Sequence, residues 1–109
     1  MKHTVEDKGT ALVAAFEGDI DLETSPAVRK VLLDCVGRCE TVLVDLGGVG
    51  YIDSSGVAAL VESLQTARKG GRRFLLAGIS EGTRRVLELA RLDKVFAIYD
   101  SVDVALASK

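Results

Sequence analysis

Strand signals and helix signals alternate along this chain, and that alternation narrows the possible folds more than any other feature. A strand, a helix and another strand in succession need a crossover connection, and crossovers join parallel strands. The sharpest strand signal is Val42-Leu43-Val44-Asp45-Leu46, a short β-branched apolar run. It reads as a strand buried on both faces, in the middle of a sheet. Phe74-Leu75-Leu76-Ala77-Gly78-Ile79 and Val95-Phe96-Ala97-Ile98-Tyr99 read as two further strands. Residues 2–7 and 11–16 read as an opening pair, with Lys8-Gly9-Thr10 between them, a length that suits a hairpin.

Helix signals fill the gaps. Thr24-Ser25-Pro26 marks a start, with Thr24 or Ser25 as cap and Pro26 in the first turn. Val28, Val31, Leu32, Cys35 and Cys39 follow at steps of three and four, one buried face. A second helix starts near Ser54 or Ser55 and carries Val57, Leu60, Val61, Leu64 and Ala67 inward. It stops at Lys69-Gly70-Gly71. Ser80 caps a third, whose inner stripe is Val86, Leu87 and Ala90, widened by Leu89 and Leu92. Asp100 or Ser101 starts a short last helix through Ala107. The expectation is an α/β fold in the order β-β-α-β-α-β-α-β-α, as a single domain over residues 1–109. Its mixed sheet has four to five strands, with about four helices packed mainly on one face.

Composition removes several function classes. The formal net charge is −2, and the pairs Arg72-Arg73 and Arg84-Arg85 are too short to make a nucleic-acid surface. No apolar run approaches the ~20 residues that cross a bilayer, so no membrane insertion is expected. Residues 1–7 lack the apolar core of a secretory signal, and a cytoplasmic location is the default expectation. Cys35 and Cys39 lie four apart, as half of a metal site or a redox pair would. The preferred reading is two small apolar side chains facing the core. The only other soft ligand, His3, is distant in sequence, and a reducing cytoplasm disfavours a disulfide. No metal site is expected.

The segment from Asp45 to Gly56 joins the most buried strand to a helix start and holds Gly47, Gly48, Gly50 and Gly56. Such loops gather at the carboxyl edge of a parallel sheet, where ligands bind. A phosphate-binding P-loop is excluded because no Gly-Lys-Ser/Thr follows. A nucleophilic Ser54 lacks a nearby base and a Gly-x-Ser-x-Gly elbow, so no catalytic residue is assigned. Two readings remain. Ser54 or Ser55 caps the helix, or Ser54 is itself modified. A phosphate there would meet the positive end of the helix dipole and add about −1.5 to −2 of charge beside Asp53, and near Asp19 or Asp21 if the fold brings them close. A partner docked on that edge would be repelled.

Val42-Leu43-Val44-Asp45-Leu46 followed by Tyr51-Ile52-Asp53-Ser54-Ser55-Gly56-Val57 resembles the signature of the STAS domain of anti-sigma factor antagonists. Phe16-Glu17-Gly18-Asp19-Ile20-Asp21, Gly70-Gly71 and Arg84-Arg85-Val86-Leu87-Glu88-Leu89 resemble other parts of that family, so the likeness spans essentially the whole chain. The resemblance implies partner switching. The unphosphorylated protein would bind an anti-sigma factor that is also a serine kinase of the histidine-kinase-like ATPase type, and so free a sigma factor. Phosphorylation of the first serine, here Ser54, would release the partner, with Ser55 the less favoured acceptor. A metal-dependent serine phosphatase would reset the protein. ATP and Mg²⁺ would belong to the kinase, leaving this chain without a cofactor. Asp19, Asp21, Asp53, Ser55, Gly56 and Val57 would surround the phosphosite and form the partner surface. Gly56-Val57-Ala58 departs from the commoner Gly-Leu-Gly, and Asp19 from the commoner Glu, yet the acceptor hydroxyl is kept. The alternative is a STAS regulatory subunit of a membrane lipid-transport ATPase complex. An adaptor in secretion or biofilm regulation is a third role for the same chemistry.

Overall fold

The computed structural model describes residues 1–108. Five strands form one sheet in the order of the sequence: β1 (Lys2–Asp7), β2 (Ala11–Glu17), β3 (Thr41–Gly48), β4 (Arg73–Ala77) and β5 (Ala97–Tyr99). β1 and β2 pair antiparallel through the expected hairpin, and every later pair is parallel. Helices α1 (Ser25–Val36), α2 (Ser54–Lys69), α3 (Glu81–Leu89) and α4 (Val102–Ala107) complete the order expected from the sequence.

The central strand behaves as its composition requires. Val42, Val44 and Leu46 face one way, into a core with Leu12, Phe16, Leu32, Leu60 and Leu87. Leu43 faces the other way, with Val13, Leu75 and Ala105. Buried residues of α1, α2 and α3 contribute to the first core, and only the short α4 contributes to the second. No buried side-chain nitrogen or oxygen among the described residues lacks a hydrogen-bond partner.

Helix ends explain where the structure departs from the sequence reading. α1 stops at Val36, so Cys39 lies beyond it in a loop. Its half-buried thiol donates to the Thr10 carbonyl at 2.7 Å, while Cys35 is fully buried in the core. Burial pushes the Cys35 thiol pKa up. Arg72, from the turn after α2, covers the end of α1 by donating to the Val36 and Cys39 carbonyls. Thr24 precedes α1 but makes no capping bond, and Ser25 is the first helical residue.

α3 is shorter on its inner side than its apolar spacing suggests. Thr83 and Leu87 are its buried residues, whereas Leu89 is 79% exposed and Ala90 is the exposed C-cap. The chain turns there through Arg91, at φ 60°. Arg91 N–H donates to the Glu88 carbonyl and Leu92 N–H to the Leu87 carbonyl, a Schellman turn that brings Leu92 back against the core.

Candidate functional site

The site lies at the carboxyl ends of β2 and β3. Gly18 adopts φ +101°, a conformation that favours glycine, and its N–H donates to the Gly48 carbonyl at 3.0 Å. A side chain at Gly48 would sit 2.9 Å from the Phe16 carbonyl, so the two strand ends close up only because Gly48 has none.

Beyond these glycines the two loops are stitched together. Ile20 and Ile52 form a parallel bridge. The Ile20 N–H donates to the Tyr51 carbonyl at 2.9 Å, and the Asp53 N–H to the Ile20 carbonyl at 3.0 Å. Both isoleucines are fully buried. Their neighbours alternate outward, as in any extended segment. Tyr51, next to Ile52, is 53% exposed; Leu22, in the turn that follows Asp21, is 76% exposed. Asp19 is exposed and Asp21 half-buried. Asp21 accepts from the Glu23 and Thr24 N–H groups, and Thr24 Oγ1 donates to the Asp19 carbonyl. The Thr24 hydroxyl oxygen in turn accepts from the Asp21 N–H at 2.9 Å, so it faces this loop and does not cap α1.

Asp53 caps α2. Its backbone is extended, and its Oδ1 accepts from the Ser55 N–H at 2.9 Å and the Gly56 N–H at 3.2 Å. The Ser55 hydroxyl donates to the same oxygen at 2.5 Å. That hydroxyl bond, then the Gly56, Ser55 and Leu22 N–H groups, hold the Asp53 carboxyl below its ordinary 3.8. Neither serine caps the helix, as the sequence reading had allowed, because a carboxylate one residue earlier fills the position. Ser54 is the first helical residue, exposed, and its hydroxyl makes no hydrogen bond among the described residues.

Gly56 and Val57 stand behind this turn, not on its surface. Val57 is only 8% exposed and belongs to the main core. A side chain at Gly56 would sit 2.6 Å from Ile20 Cγ2 and 2.6 Å from Ile52 Cγ1. The helix start presses directly onto the stitched pair. On the far side, Arg29 of α1 grips Glu62 of α2 through two bonds of 2.7 Å, so α1 and α2 are joined across the surface as well as in the core.

The sequence model of the STAS domain matches residues 2–105. The chain belongs to the STAS domain family. The anti-sigma-F factor antagonist RsfB of Mycobacterium tuberculosis is 32% identical over 106 residues, 94% of this chain and 84% of that protein. The crystal structure of an anti-sigma factor antagonist from Mycobacterium paratuberculosis superposes with a TM-score of 0.90 at 29% identity, over 98% of this chain and 92% of that one. The Bacillus cell fate determinant SpoIIAA in its phosphorylated form shares the fold, with a TM-score of 0.76 at 18% identity and 96% of each chain covered. Among the described residues, no group of His, Cys, Asp and Glu is arranged to hold a metal ion, and no helix is long and apolar enough to cross a membrane.

Sequence reasoning missed Leu22 and Tyr51. For Tyr51 the signal was present: it flanks the buried Ile52 in a short extended stretch, so period-two alternation places it outside; Leu22 lies two residues past Ile20, in a turn, and no such pattern marks it.

Gly56→Ala is expected to destabilise the fold by about 1–3 kcal/mol through overpacking against Ile20 and Ile52. A urea midpoint equal to or above that of wild type would contradict the packing. The lowered Asp53 pKa also fixes a sign. Its stabilisation is complete above the ordinary value of 3.8 and is lost as pH falls through the lower folded value. A carbon-detected NMR titration should place the Asp53 midpoint below 3.8. Asp53→Asn should lose less stability on acidification than wild type; equal loss would show that the carboxylate gains nothing from its cap.

Proposed function

We propose that this chain is an anti-sigma factor antagonist that works by partner switching, with Ser54 as the phosphoacceptor. In its unphosphorylated form it binds an anti-sigma factor that is also a serine kinase of the histidine-kinase-like ATPase type, and thereby frees a sigma factor. The kinase supplies ATP and Mg²⁺, transfers one phosphate to Ser54 and is released. A serine phosphatase restores the first state. The chain itself is a regulator without catalytic residues or cofactor, acting in the cytoplasm.

The observation that carries this reading is the division of labour within Asp53-Ser54-Ser55. Asp53 takes the capping role, and the Ser55 hydroxyl is spent on the Asp53 carboxylate. Of the two serines, Ser54 alone is exposed and has a hydroxyl that makes no hydrogen bond to the described residues. A kinase can reach it without disturbing the helix start. Modifying Ser55 would instead set a phosphate against the carboxylate it now holds. The curated relatives support the same reading, since RsfB is an anti-sigma-F factor antagonist at 32% identity.

The release step follows from charge and surface. Leu22 and Tyr51 offer apolar ground on which a partner can settle, and Asp19, Asp21 and Asp53 lie in the same two loops. A phosphate on Ser54 adds about −1.5 to −2 of charge to this acidic edge. The helix dipole stabilises that charge by ~0.3–1 kcal/mol, so the modified chain stays folded while the docked partner faces a new anion.

A pull-down from native lysate followed by incubation with ATP tests the reading. It should recover a small serine kinase that adds one phosphate to the wild type and none to Ser54→Ala, by intact mass. Full modification of Ser54→Ala would overturn the site. Recovery of a transporter ATPase subunit instead would favour the alternative role. Ser54→Glu should bind the kinase at least about tenfold more weakly than wild type, corresponding to roughly 1.4 kcal/mol; equal affinity would overturn the repulsion mechanism.

A further inference from the structure

β1 (Lys2–Asp7) is an edge of the sheet, so one side of it carries unpaired backbone groups. The hairpin shows which residues those are. The Lys8 N–H donates to the Ala11 carbonyl at 2.8 Å, in line with the register that sets Lys2 opposite Glu17 and Asp7 opposite Leu12. Bonding alternates along an antiparallel strand. Lys2, Thr4 and Glu6 therefore bond to β2, while His3, Val5 and Asp7 turn their N–H and C=O groups outward.

Proteins commonly protect such an edge with charges that repel another strand. Here the charges do the opposite. A second copy pairing antiparallel about a two-fold axis must set one residue opposite itself. With Thr4 on the axis, Lys2 of each copy faces Glu6 of the other, and His3 faces Val5. Other registers are worse. Val5 on the axis sets Lys2 against Lys8, and Glu6 on the axis sets Glu6 against itself. The Thr4 register alone combines opposite-charge pairs, a Thr–Thr pair and outward backbone groups in bonding position.

We propose that β1 is the contact of a transient homodimer, in which two copies pair antiparallel about Thr4 and their sheets become continuous. His3 and Val5 exchange backbone hydrogen bonds across the axis. Lys2 gives up its 3.7 Å contact with Glu17, and Glu6 its contact with Lys8. Both are exposed ion pairs of the kind that contribute little, so the exchange is cheap. Val5, 38% exposed in the single chain and opposite Ala14 of the main core, becomes covered on that face of the sheet. A strand pair alone covers less than the ~1,200 Å² of a stable interface, which makes the dimer weak and concentration-dependent. The Ser54 turn springs from β3, with β2 between it and β1, so both copies keep it uncovered.

Sedimentation equilibrium from micromolar to millimolar concentration tests this. Wild type should self-associate. Lys2→Glu and Glu6→Lys should each weaken self-association about tenfold, because each sets like charges face to face. An equimolar mixture of the two variants should recover wild-type association, since the heterodimer pairs opposite charges at both ends. Val5→Pro removes an outward N–H without breaking a bond to β2, and should abolish association while circular dichroism stays unchanged. A wild type that stays monomeric to millimolar concentration would overturn the proposal. So would a mixture no tighter than either variant alone, a result that decides the matter even where Val5→Pro fails to fold.

Discussion

Everything at the functional edge depends on one residue pair of parallel bridging between two loops. Ile20 and Ile52 are not in the strands that precede them, yet they continue the pairing of β2 and β3 past its irregular end. Each is driven inward by burial and held by backbone bonds from its neighbours. Gly56 then lets the first turn of α2 rest directly on both side chains. Loops at a sheet's edge are ordinarily its most mobile parts. Here the loop is given a core of its own, and the residues that must face solvent are pointed there by alternation from residues that must not.

That construction separates support from function along the chain. Asp53 and Ser55 hold the helix start, Ile52 and Gly56 anchor it, and Ser54 is left with no structural duty. A residue can be modified reversibly only when its modification does not undo the fold around it. In the proposed switch, negative charge added to Ser54 at the first turn would be favourable to the helix, while on the acidic edge formed by the surrounding loops it would be unfavourable to a docked partner. The two effects have opposite signs because they act on different things, one inside the molecule and one across its surface.

Much of this was legible in the sequence. The order of elements followed from alternating apolar runs and caps, and Ser80, Ser101 and Gly70 cap the helices much as their positions suggested. Four features were not legible, for physical reasons. Helical spacing continues through Cys39, but spacing cannot say where a helix stops, and the chain leaves α1 before Cys39 is reached. Leu89 fits an inner stripe, but α3 ends there, and Leu89 faces solvent while Leu87 in the same turn is buried. The capping residue at Asp53 was hidden because serines are equally good caps; only the three-dimensional turn shows which oxygen meets the free N–H groups. The Ile20–Ile52 bridge joins segments distant in sequence, and no local pattern encodes that pairing.

The central claim is that the turn presenting Ser54, the proposed phosphoacceptor, is already built into the fold of the free chain. Native-state hydrogen exchange of the Ile20 and Asp53 amides tests it most directly, since those two N–H groups make the stitching bonds. Both should exchange as slowly as the amides of β3, through opening close to global unfolding. Exchange of either at the rate of an exposed loop would contradict the account and make the turn a flexible segment that takes its shape only when bound.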